Sequence, residues 1–72
     1  MKKSYTIEVE CANCANKMEA AAAQVEGVSR VTINFIMQKI VVEFAEGSSP
    51  RSVMEEVQRV CKRIEPDCTI AF

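Results

Sequence analysis

Histidine and tryptophan are absent from the 72 residues, and glycine and proline number two each. Without imidazole the chain lacks both the ordinary general base of neutral pH and the commonest zinc ligand. Charge of one sign is missing as well: nine basic and ten acidic side chains leave a formal charge of −1. That balance excludes a nucleic-acid binder built on a dominant basic face. No apolar run is long enough to cross a bilayer. Met1-Lys2-Lys3 leads straight into alternating Tyr5, Ile7 and Val9, so no signal peptide is seen. The expected compartment is the cytosol, where thiols stay reduced, and a framework of two disulfides among the four cysteines loses its support there. Linkers and low-complexity segments are missing too.

What is present is a hydrophobic fraction of 49%, enough for one small aliphatic core. Residues 1–72 are expected to form a single domain, burying roughly 60% of the unfolded surface. Tyr5, Ile7 and Val9 alternate with Thr6, Glu8 and Glu10, which predicts a half-buried strand over residues 3–10. Ala15, Met18, Ala22 and Val25 recur at helical spacing from Cys14 onward, and Gly27 is suited to close that helix. Val31, Ile33 and Phe35, then Ile40, Val42 and Phe44, alternate about Met37-Gln38 and predict a hairpin. Ser49 and Pro50 suit the start of a second helix, with Val53, Val57, Val60 or Cys61, and Ile64 as its apolar stripe and Pro66 as its stop. Cys68, Ile70 and Phe72 alternate in a last strand.

Strand-helix-strand twice over predicts an α+β two-layer sandwich, with two helices on one face of a four-stranded antiparallel sheet. Right-handed crossovers put the first strand of each half in the centre of the sheet. The hairpin turn around Met37 and the connection from Lys62 to Asp67 then fall at the same end as Cys11.

At that end sits Cys11-Ala12-Asn13-Cys14, a Cys-x-x-Cys between a strand and an alanine-rich helix. Cys14 is placed at the helix start, where free backbone N–H groups stabilise a thiolate and lower its pKa. Two thiolates on an exposed loop suit a soft or borderline metal ion and leave coordination positions vacant, as handover by ligand exchange requires. Glu10, next to Cys11, is the expected third ligand. A carboxylate oxygen is a poor partner for copper(I), whereas zinc, cadmium and lead accept mixed sulfur and oxygen donors. A solvated charge at a strand end is the plain alternative for Glu10.

Strand, Cys-x-x-Cys, a helix beginning Ala15-Asn16-Lys17-Met18-Glu19, hairpin and second helix together resemble the heavy-metal-associated domain family over essentially the whole chain. The resemblance implies a ferredoxin-like βαββαβ fold and ligation by Cys11 and Cys14. Arg63-Ile64-Glu65-Pro66-Asp67 is similar to the N-terminal domains of zinc, cadmium or lead exporting P-type ATPases. An acidic residue at Glu10 also resembles that divalent branch. The implied partners are a membrane metal-transporting ATPase, in the same chain or separate, or a metallochaperone. A monomer is expected, with a dimer bridged by metal as the alternative. The chain departs from the family pattern where Gly and then Met or Leu commonly precede the loop: it has no such Gly, and the shorter Val9 takes the apolar place.

Other readings share these residues. A free-standing copper(I) or mercury chaperone uses the same pair, and a small dithiol oxidoreductase uses the same spacing, although no Pro lies within the pair. Structural zinc needs a second pair, and Cys61 and Cys68 are too far apart in sequence to form one of the usual kind. By pattern both point to the core as small hydrophobes, with auxiliary ligation as the alternative. Met18 belongs to the helix stripe, whereas Met37 at the hairpin tip is a candidate thioether ligand. Lys62 and Arg63 suit a helix C-terminus. Nucleophilic and acid–base catalysis have no apparatus: Glu8, Glu10 and Glu19 are spread out with no evident pair.

Overall fold

A computed structural model describes all of residues 1–72. Its elements are β1 (Lys2–Glu8), α1 (Ala12–Ala22), β2 (Val28–Asn34), β3 (Lys39–Phe44), α2 (Pro50–Ile64) and β4 (Thr69–Ala71). The antiparallel sheet has the order β2-β3-β1-β4, so β1 and β3 are central as the crossover rule requires. Alternation decides which side is buried. Ile7, Val31, Ile40, Val42, Phe44 and Ile70 face the helices and join Ala15, Met18, Ala22, Val53, Met54, Val57 and Cys61 in one core.

Several boundaries differ from the sequence expectation, each for a local reason. α1 starts at Ala12, because Cys11 itself caps it, and ends at Ala22 rather than Val25. Gly27 therefore closes no helix: it serves the turn into β2, at φ +95°. A Cβ there would stand 2.6 Å from Val53 Cγ2, so both conformation and space demand glycine. Phe35 lies in the hairpin turn rather than in β2. In α2 the buried residue of the pair Val60 and Cys61 is Cys61, and Met54, outside the expected stripe, is fully buried. β4 stops at Ala71, leaving Phe72 outside the strand and 47% exposed.

Both outer strands are closed by helix side chains. Glu19 on α1 accepts the Ile33 N–H of β2 at 2.7 Å. Gln58 on α2 accepts the Ile70 N–H of β4 at 2.7 Å and donates to the Cys68 carbonyl at 3.2 Å. The two halves thus solve the edge-strand problem alike, by occupying edge N–H groups that otherwise template pairing with another chain.

Candidate metal centre

β1 delivers the chain to the cysteine loop, and its last step is held by a side chain. Val9 is 4% exposed and packs into the core. Its N–H donates to Gln38 Oε1 at 2.9 Å, and its carbonyl accepts from Gln38 Nε2 at 2.9 Å. The same Nε2 donates to the Phe35 carbonyl at 2.8 Å, while the Ile7 N–H donates to the Gln38 carbonyl at 3.0 Å. The Gln38 amide therefore stands in for a peptide group and extends the β1–β3 ladder by one residue. Gln38 achieves this at φ +53°, the sole non-glycine residue in the left-handed region. The missing Gly and short Val9 are thus accompanied by a different support, a clamp from the hairpin turn.

Beyond Glu10, which is exposed, Cys11 is the N-cap of α1, with extended backbone at φ −130° and ψ 121°. Its carbonyl accepts from the Ala15 N–H at 2.9 Å, and its Sγ accepts from the Cys14 N–H at 3.4 Å. A sulfur here does what a Ser or Asp oxygen does at most helix starts. Cys14 lies within the first turn, half-buried, against the core above Ala15 and Met18. Met18 is fully buried, as the stripe implied.

The electrostatics reverse one sequence expectation. The helix-start N–H of Cys14 stabilises the Cys11 thiolate and lowers the Cys11 pKa, aided by hydrogen bonding from the Cys14 side chain. Cys14 moves the other way: its thiol donates to Cys11 and so holds its proton, and burial and the Cys11 charge add to the rise. The helix-start amide thus serves the capping sulfur, one turn before Cys14. The charge of Glu65 raises both thiols, and that of Lys17 opposes it at Cys14. Alkylation by iodoacetamide below the ordinary thiol pKa is therefore expected to modify Cys11 first and Cys14 later, with Cys61 and Cys68 protected. Mass mapping over time checks the order, and equal rates at Cys11 and Cys14 contradict it.

Glu65, which the sequence offers only within the Arg63–Asp67 resemblance, is the further residue whose charge acts on the pair. β1 pairs with β4 so that Glu8 stands opposite Thr69, which brings the α2–β4 connection to the end of the sheet that carries the cysteine loop. That register was the available signal. No group of three or more Cys, Asp or Glu side chains converges closely enough to hold an ion, so neither Glu10 nor Glu65 completes the pair in this conformation. Met37 is 64% exposed at the hairpin tip, its N–H bonded to Asn34 Oδ1 at 2.9 Å. Cys61 and Cys68 are fully buried, and all four cysteines are free thiols. Lys62 Nζ reaches the Pro66 carbonyl at 3.4 Å.

The model of the heavy-metal-associated domain matches residues 4–63. The chain belongs to that family. A heavy-metal-associated domain is a metal-binding module, and the order β2-β3-β1-β4 with both helices on one face is its ferredoxin-like fold. A cadmium, zinc and cobalt-transporting ATPase of Bacillus subtilis (strain 168) is 28% identical over 71 residues, covering 97% of this chain and 10% of the ATPase. A probable copper-transporting ATPase, PacS, of Synechocystis is 31% identical over 62 residues, covering 82% of this chain and 8% of the ATPase. The chain thus spans about a tenth of the length of these relatives. Among solved structures, the Cu(I)-loaded N-terminal domain of a potential copper-translocating P-type ATPase from Bacillus subtilis superposes with a TM-score of 0.74 at 23% identity, covering 99% of this chain and 84% of that one. No helix here is long and apolar enough to cross a membrane.

Proposed function

We propose that Cys11 and Cys14 capture one zinc, cadmium or lead ion and pass it on by thiolate exchange. The observation that carries this reading is the pair's placement: Cys11 Sγ caps the helix by accepting the Cys14 N–H at 3.4 Å, and both free thiols are partly exposed one turn apart. Cys11 makes the first bond, and Cys14 loses its proton as the second forms. Release reverses the order, with a partner thiolate taking the place of Cys14 while Cys11 holds the ion. The module itself catalyses nothing. In a parent polypeptide it serves as the cytoplasmic N-terminal domain of a metal-exporting P-type ATPase, whose hydrolysis and transport reside in other segments.

Donor chemistry supports a dication: acidic side chains adjoin the pair, and zinc, cadmium and lead accept oxygen beside sulfur, whereas a carboxylate is a poor partner for copper(I). Glu10, next to Cys11 in the chain, or Glu65, whose charge acts on both thiols, supplies a carboxylate to the bound ion. Copper(I) is the second reading, favoured by the likeness to the copper-transporting relative. Competitive titration separates them. Glu10→Gln and Glu65→Gln are expected to leave copper(I) affinity unchanged, and at least one to weaken zinc and cadmium binding about tenfold, the lower end of losses on removing a metal site's supporting group. Unchanged zinc and cadmium affinity in both variants contradicts the divalent reading while leaving the dithiol in place.

A further inference from the structure

Cys61 and Cys68 take no part in the site above, yet the fold sets them against each other. Cys61 stands in the last turn of α2 and Cys68 immediately before β4, both fully buried. The Glu65 N–H donates to the Cys61 carbonyl and the Cys68 N–H to the Glu65 carbonyl, each at 2.9 Å, folding the connection back on itself. Gln58, one turn before Cys61, fixes the other side through its bonds to the Cys68 carbonyl and the Ile70 N–H. Within this frame both thiols are enclosed in the same core cluster, near enough for each to perturb the other's proton affinity.

We propose that Cys61 and Cys68 are a concealed redox latch, a second dithiol that a low-molecular-weight disulfide such as glutathione disulfide converts to an intramolecular disulfide tying α2 to β4. One protein thiolate attacks a glutathione sulfur, forming a mixed disulfide and releasing one glutathione. The second protein thiolate attacks the protein sulfur of that mixed disulfide and releases the other glutathione. Two protein thiols lose two electrons and two protons, and both glutathiones leave as thiols.

The closed core protects the pair. Burial pushes the Cys61 thiol up to about 12, and exchange requires an accessible thiolate. β4 supplies the opening: it has three residues, lies at the sheet edge and pairs only with β1. Short edge elements open well below the free energy of global unfolding. The product is neutral and apolar, as the packed core around the pair requires, and it ties down the connection that carries Glu65.

The test uses the full chain carrying Cys11→Ser and Cys14→Ser, incubated with glutathione disulfide and followed by intact mass and peptide mapping. The expected product has lost the mass of two hydrogens, contains a Cys61–Cys68 cross-link and keeps the native circular dichroism. Low urea, which favours opening, is expected to raise the rate several-fold. Cys61→Ala or Cys68→Ala in the same background stalls at a single glutathione adduct. Adducts without a cross-link, intermolecular disulfides, or a cross-link that appears only as the native signal is lost each overturn the latch. None of these outcomes bears on metal capture by Cys11 and Cys14.

Discussion

Replacing Cys11 by serine lowers zinc and cadmium affinity at least a hundredfold while leaving the fold intact. Losing even an outer supporting group costs a metal site about 10- to 100-fold, and here one of two sulfurs disappears. A serine hydroxyl stays protonated at neutral pH and is a hard donor, so it does not replace a thiolate for a borderline ion. It is, however, a favoured N-cap. In the Cys11→Ser variant the hydroxyl can accept the Cys14 N–H as the sulfur does, so α1 keeps its start and the loss is one of coordination chemistry. Cys14→Ser is expected to lose comparable affinity while the Cys11 pKa stays lowered, because the N–H of residue 14 is kept and a serine hydroxyl can donate to Cys11 in place of the thiol. Chelator competition with circular dichroism on the same samples measures both effects. Binding within a few-fold of the parent in either variant contradicts the site.

Gln38→Leu destabilises the domain by about 2 to 4 kcal/mol, since three side-chain hydrogen bonds vanish and part-buried backbone groups of Val9 and Phe35 lose their partners. In a chain this short the thermal midpoint falls on the order of 10–20 °C. Leucine keeps the volume and the same left-handed penalty, so its effect isolates the amide. Gln38→Gly relieves the φ of +53° and is expected to lose less, by about 1 kcal/mol. In both variants amide exchange quickens from Val9 to Cys11, because the clamp is what holds β1 to the hairpin turn beyond Ile7. Thermal unfolding and hydrogen exchange check the two parts separately, and a Leu variant as stable as the parent contradicts the clamp.

The periodic parts of the molecule were readable from residue order. Alternation in Tyr5 to Val9 and in the hairpin, helical spacing in Ala15 to Ala22, and the Ser49-Pro50 start gave element types, sheet order and the place of the cysteine loop. The unread features depend on distant partners. Gln38 looks like an ordinary turn residue until β1 and the turn, 29 residues apart, are known to meet. Glu65 is placed at the metal end by topology alone, but that its charge acts on both thiols depends on how the α2–β4 connection packs. Cys11 is not a usual N-cap type, so the helix start was placed beyond it and the pKa argument given to Cys14. Glu19 and Gln58 were invisible as edge guards for the same reason: nothing in a helix stripe says which wet-side residue overhangs a strand. The burial of Cys61, Cys68 and Met18 followed directly from parity and spacing.

X-ray absorption at the zinc edge, on the chain loaded with one equivalent, addresses the open dithiol most directly. Two sulfurs with the remaining donors oxygen or nitrogen are expected, and the sulfur signal disappears when Cys11 and Cys14 are both serine. Four sulfurs around the ion, or a sulfur shell that survives the double substitution, is incompatible with capture by this pair alone.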